Sequence, residues 1–239
     1  FCDLLIFSSV VDRLIKDTEN IDPASNSMSN ILLTIIRLIM ACHFRIGNKK
    51  YKELYDSYGA INIQKRHVKQ SSDGKKMKIE FTGKKGVINT CNLSDQSLIA
   101  LISRLIDKKT SKQTVFEYIS QEGSVKTVRA IDFNKYLDKY DKRLTSKMFR
   151  TWDSNMLFIQ FMQGLGNPTK FTFAERKKNL VAVYKYVSDK INNTPAILKK
   201  SYTQGGLGDI YLNHPKKYFT KFGTGDPKKL FTEFLKSIC

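Results

Sequence analysis

Apolar side chains recur every three or four positions over residues 4–16, at Leu4, Leu5, Val10, Val11, Leu14 and Ile15, with Asp12, Arg13 and Lys16 on the other side. That spacing predicts an amphipathic helix. Residues 17–29 are polar, hold Pro23 and several Ser and Asn, and read as a loop. Residues 30–43 are largely apolar but carry Arg37. A run this short and this charged does not span a bilayer and predicts a buried helix. It delivers Phe44, Arg45 and the turn residues Gly47 and Asn48, after which Lys50–Tyr55 reads as a second, short helix.

The period then changes. Ala60–Lys69, Met77–Thr82 and Val87–Cys91 predict three short strands. Ser-Ser-Asp-Gly marks the first link, and the tight turn Gly83-Lys84-Lys85-Gly86 sets Lys84 on a hairpin tip. From Ser94, read as an N-cap, the helical period returns over 95–107, with Leu98, Leu101, Ile102, Leu105 and Ile106 on one face. Residues 115–120 fit neither period and end at Gly123. Ile131–Tyr140 reads as a helix. A longer one, capped by Thr145 or Ser146, runs to about Met162, and Thr172 caps another over 173–190. Thr194 and Pro195 open a short helix to Ser201. The stretch 205–226 reads as a tail rich in Gly and Lys, and a last helix covers 228–238. Helices, a small antiparallel sheet and then many helices make an α+β fold in which helix dominates. The length fits one large domain or two small ones.

Charge narrows the function. The 239 residues carry a formal net charge of +19, mostly from lysine. Such a field attracts a polyanion, and nucleic acid is the commonest. An anionic membrane surface would call for a long basic amphipathic helix, and none is present. Cys2, Cys42, Cys91 and Cys239 are far apart, with no metal or redox spacing. They are read as reduced and the protein as intracellular. His43, His67 and His214 form no metal motif with them. Phe1–Val11 is apolar but carries Asp3 and no basic leader, which argues against a signal peptide. The missing initiator Met suggests a processed or truncated piece.

The chemistry centres on Asn192–Thr203, Asn-Asn-Thr-Pro-Ala-Ile-Leu-Lys-Lys-Ser-Tyr-Thr. Tyr202 follows a short helix that ends in Lys199 and Lys200. A phenol beside cations can act as a nucleophile, although most tyrosines at helix ends only pack. Cleaving a phosphodiester without metal needs an oxygen nucleophile, cations aimed at the non-bridging oxygens and an acid for the leaving oxygen. No acidic cluster suits a two-metal nuclease. Arginines can clamp phosphate with forked donors, and a lysine among cations can give up a proton.

Four blocks carry these residue types in order: Phe-Arg-Ile-Gly-Asn-Lys-Lys-Tyr with Arg45, Phe-Thr-Gly-Lys-Lys-Gly with Lys84, Lys-Met-Phe-Arg-Thr-Trp with Arg150, and Asn-Thr-Pro-Ala…Ser-Tyr with Tyr202. Together they resemble the catalytic core of type IB DNA topoisomerases over about residues 31–202, most nearly the bacterial and giant-virus branches. The resemblance implies one catalytic domain over 1–239, with helical 1–58, a small sheet at 60–91, a helical core at 94–204 and a tail at 205–239. It implies ATP-independent relaxation of supercoiled DNA, without cofactor, through a 3′-phosphotyrosyl intermediate. In that scheme Tyr202 attacks, Arg45 and Arg150 stabilise the transition state, and Lys84 is the general acid. Asn193 stands where poxviral and cellular members have His, and an amide can still donate one hydrogen bond.

The partner implied is double-stranded DNA, held by a monomeric clamp through its phosphates. Lys49, Lys50, Tyr51, Lys85, Lys147, Lys199 and Lys200 are the expected contacts. His67 is either a backbone contact or a plain strand histidine. Two other readings stay open. A tyrosine recombinase shares the Arg, Lys, Arg and Tyr set but usually has His three residues before the second Arg, where this chain has Lys147. A basic DNA-binding protein without catalysis would need none of these residues.

Overall fold

The first amphipathic stretch forms helix α1 (Leu4–Glu19), and Met28–Cys42 forms α2. A computed structural model describes residues 1–239 and divides into two compact units, Val11–Ser146 and Phe1–Val10 with Lys147–Cys239. The chain has eleven helices and a three-stranded antiparallel sheet, the α+β fold expected. No helix is long and apolar enough to cross a membrane.

In the Val11–Ser146 unit, α2 is the core element. Ile31, Ile35, Ile36, Leu38 and Ile39 are all buried, each contributing about 1.5–3 kcal/mol of apolar burial. Ser27 caps its start by accepting from the Asn30 amide, and left-handed His43 (φ 55°) ends it. α3 (Lys49–Tyr55) follows, capped by Asn48, with no buried residue. β1 (Val68–Gln70), β2 (Met77–Thr82) and β3 (Ile88–Leu93) pair in that order. Along β2, Met77, Ile79 and Phe81 are buried and Lys78, Glu80 and Thr82 are exposed, as the period-2 pattern requires. α4 (Gln96–Ile106), the hairpin β4 (Glu117–Ile119) and β5 (Val125–Thr127), and α5 (Ala130–Leu137) complete the unit.

The other unit is helical. α6 (Ser146–Leu165) and α7 (Phe173–Lys190) are followed by α8 (Pro195–Ser201), α9 (Gly205–Asn213), α10 (Pro215–Phe222) and α11 (Pro227–Ile238). Phe7 packs edge-on against Phe149 at 4.8 Å, and Trp152 meets Phe231 at 5.6 Å. A capping box at Thr172 and Glu175 starts α7, and Thr194 with Pro195 starts α8.

Several expectations need correction. The cysteines are not free: Cys2 pairs with Cys239 and Cys42 with Cys91. Spacing along the chain excludes only local motifs, whereas here the end of α2 abuts β3, and α1 and α11 bring Cys2 and Cys239 together. Ala60–Lys69 is not one strand. Ala60 and Ile61 are buried in a first 3-10 turn, Ala60–Asn62, and Ile63 just after it; a second, basic turn, Lys65–His67, buries nothing, and only the end pairs as β1. Asp95, not Ser94, caps α4; it accepts from Leu98 N at 3.1 Å while Arg37 grips its carboxylate from 2.7 Å. Residues 115–120 belong to a second hairpin, with Gly123 (φ 76°) in its turn. The tail at 205–226 folds into α9 and α10, because Leu207, Tyr211, Tyr218 and Phe222 supply a buried face among the glycines and lysines.

Candidate active site

Arg45 and Lys84 line one cavity of about 170 Å³ in the Val11–Ser146 unit, together with Tyr51, Ser57 and Tyr58. Backbone packing delivers Arg45. Its carbonyl accepts from Ala60 N at 2.8 Å, and Ile46 O accepts from Ile61 N at 3.0 Å. The two segments touch through glycines: a Cβ on Gly59 would sit 2.5 Å from Gly47 Cα, and Gly47 itself has φ +88°. Asn62 locks the crossing by accepting from Gly59 N and donating to Asn48 O. Phe44, the neighbour of Arg45, packs on Phe81 of β2 at 4.7 Å. Lys84 opens the β2–β3 turn, a single 3-10 turn closed by Gly83 N donating to Val87 O at 2.8 Å. Lys84 and Lys85 are both exposed there. The sequence-derived hairpin tip is therefore present, with Lys85 in the left-handed region at φ 62°.

In the other unit Tyr202 ends α8 and is only 8 % exposed. The Arg150 guanidinium carbon lies 5.2 Å from its ring centroid and the Lys147 ammonium 5.9 Å. Arg150 and Lys147 are one turn apart on α6, so one helix face supplies both cations. Arg150 is 2 % exposed and donates to Ile191 O at 2.8 Å. A large charge held that deeply is placed for a task beyond solvation. Asn193 donates its backbone N–H to Ser188 O, and its side-chain oxygen accepts from Thr194 N. Its Nδ2 is buried with no hydrogen-bond partner, a donor without an acceptor in the protein. Lys199 and Lys200 are exposed in the last turn of α8.

Residues 1–210 match the family described as eukaryotic DNA topoisomerase I, catalytic core. The chain belongs to that family. A DNA topoisomerase 1B of Acanthamoeba polyphaga mimivirus is similar to it at 29% identity, over 87% of this chain and 62% of that protein. The chain thus spans about three fifths of the length of the curated relative it matches.

Within this topoisomerase core, the remaining candidates divide by environment. Lys49, Lys50 and Tyr51 are exposed on α3, where Lys49 pairs with Glu53 at 3.7 Å and the Tyr51 ring lies 5.9 Å from that of Tyr55. His67 ends a 3-10 turn and faces inward: Nδ1 accepts from Gln64 N at 3.0 Å, and its ring meets Tyr58 edge-on at 4.4 Å. Burial, helped by the Arg66 charge, lowers its pKa to about 4. His67 is therefore neutral at physiological pH, and any contact it makes is as an Nε2–H donor, not as a cation. It borders a second cavity of about 410 Å³ with Asp56, Tyr58 and Arg66. There the Tyr58 hydroxyl donates to Asp56 and accepts from Arg66.

Sequence reading missed the residues that hold the named ones. Gly47, Gly59 and Asn62 fix the Arg45 segment, and Asn155 of α6 bonds the backbone around Tyr202. The one signal for Asn155 was an amide among the core-facing positions of α6, between Trp152 and Phe158.

Proposed function

We propose that this chain relaxes supercoiled double-stranded DNA by reversible cleavage of one strand, without ATP or metal. The Tyr202 oxygen attacks the scissile phosphorus as its proton passes to solvent. The bond from phosphorus to the 5′ oxygen breaks, and Lys84 Nζ protonates that oxygen. Arg45 and Arg150 stabilise the charge on the non-bridging oxygens, and the Asn193 amide donates one further hydrogen bond. The strand held at its 3′ end by Tyr202 lets the other side of the duplex turn. Attack by the 5′ hydroxyl then reverses the step. The phosphodiester energy is kept in the phosphotyrosine, which is why no nucleotide is consumed. Lys49, Lys50, Tyr51, Lys85, Lys147, Lys199 and Lys200 bind the duplex, mainly through phosphates.

The observation that carries this reading is Tyr202 at the exit of α8 with the Arg150 and Lys147 cations over its ring, in a chain of the topoisomerase I core family. The unpartnered Asn193 Nδ2 suits an acceptor that arrives with the substrate. The test is plasmid relaxation in excess EDTA without nucleotide, with mass spectrometry of a trapped adduct. Relaxation and a phosphate on Tyr202 are expected. A metal requirement, or a phosphate on another residue, would sink the assignment.

A further inference from the structure

α6 does more than carry Arg150. One turn further along, Asn155 is fully buried, with 0% exposure. Its Nδ2 donates to Tyr202 O at 3.0 Å and to Thr151 O at 2.6 Å, and its Oδ1 accepts from Gln204 N at 2.9 Å. One side chain thus takes the carbonyl of the nucleophile's own residue and the amide two residues on. Tyr202 N donates to Leu198 O at 3.0 Å. Both peptide groups of Tyr202 are therefore held, one by α8 and one by α6, and only the two side-chain torsions remain to aim the phenol. A buried amide with every polar atom engaged by backbone has a single orientation.

We infer that Asn155 is a positioning residue for the Tyr202 nucleophile, an inference that rests on the function proposed above. Glu, Asp or His at this place would be acid–base candidates; a neutral amide whose partners are all backbone groups can act only on geometry. Its contribution is to the alignment of attack, where misplacement by about 1 Å lowers rates on the order of 10²-fold.

The test uses two variants of the whole chain, Asn155→Ala and Asn155→Leu. Leucine keeps the volume and removes every hydrogen bond, so it separates alignment from packing. Single-turnover cleavage of a duplex at saturating enzyme should slow on the order of 10²-fold in both, and religation should slow by the same factor, because both directions share one transition state. Non-covalent affinity, measured in a Tyr202→Phe background, should stay within about threefold of native, small against the tenfold-per-1.4 kcal/mol scale. A 5′-bridging phosphorothiolate, which needs no proton donor, should not restore the rate. Native-like cleavage by Asn155→Leu would overturn the proposal, as would rescue by sulfur or a loss of affinity equal to the loss of rate. If neither variant folds at 15 °C, Asn155 serves the fold and the proposal also falls. Absence of any adduct from the native chain would instead overturn the enzymatic reading, which keeps the two failures distinct.

Discussion

Joining Cys42 to Cys91 closes a loop across a separation of 49 residues, and that loop contains both Arg45 and Lys84. In the chain-entropy relation such a loop removes about 4 kcal/mol of freedom from the unfolded chain at 25 °C. Observed values commonly fall to about 2–4 kcal/mol, so a Cys42→Ala, Cys91→Ala double variant should lose that much stability. For a chain of this size that is a drop of roughly 10 °C in melting temperature. The native contacts beneath the bond survive its removal, because Phe44 still packs on Phe81 at 4.7 Å. The folded state should therefore keep its far-UV spectrum, and the change should appear in the unfolded state, as a larger urea m-value once the cross-link is gone. The assay is urea unfolding followed by circular dichroism, native against double variant, with and without reductant. Reductant should lower the native midpoint more than that of the double variant, which retains only Cys2–Cys239. Equal midpoints for the two proteins in oxidising buffer, or four alkylatable thiols in the native protein, would refute the reasoning.

Lys84→Ala should slow cleavage of ordinary DNA on the order of 10²–10⁴-fold and recover on a 5′-bridging phosphorothiolate, while Arg150→Ala stays slow on both; failure of rescue would make Lys84 an electrostatic residue and Lys85 the next proton donor to test. Gly59→Ala should destabilise the chain by about 1–3 kcal/mol and slow cleavage, since its Cβ would lie 2.5 Å from Gly47 Cα and 2.6 Å from Arg45 O; a neutral result in urea melts would mean the crossing segments separate easily. Folded His67 has its pKa lowered to about 4, so the unfolded state binds the proton first, and stability should fall as pH drops from about 6.5 to about 4; His67→Phe should flatten that part of the urea-derived profile, and an unchanged slope would count against the burial argument. Duplex affinity should fall steeply and linearly in log–log terms with salt, and a flat response in a binding titration would exclude phosphate-led contact.

The helices legible in the sequence are those with long periodic faces and explicit ends. α7, with Thr172 and Glu175 at its start, and α8, with Thr194 and Pro195, have the ranges their caps predict. β2 has the range its alternation predicts. Where composition and periodicity disagreed, the buried face decided. Glycine and lysine made 205–226 look like a tail, yet Leu207, Tyr211, Tyr218 and Phe222 close the core of that unit. Ala60–Lys69 has the apolar content of a strand, but it turns twice because its amides pair with Arg45 O, Ile46 O and Gln113 O rather than with a neighbouring strand. Such partners lie far off in sequence, and no local pattern carries them.

The candidate site has the same asymmetry. The proposed residues Arg45, Lys84, Arg150 and Tyr202 stand out through four motif blocks in a family order, since each alone would pass for an ordinary surface or packing residue. The residues that hold the backbone of Arg45 and Tyr202 are neutral and announce nothing: Gly47 and Gly59 pack closely by lacking a side chain, and Asn155 turns its amide wholly inward. Under the proposed function, a substitution in this fold need not touch the phosphate to alter the rate. Arg150 reaches Ile191 O and Asn155 reaches Tyr202 O from the same helix, so α6 spans the segment that carries Asn193 and Tyr202 from end to end. A shift of α6 along its axis that carried this segment with it would move Arg150, Asn193 and Tyr202 together and preserve their mutual geometry. A change at a single anchor would break the register between them, so single-anchor variants should lose more rate than variants that repack the whole outer face of the helix.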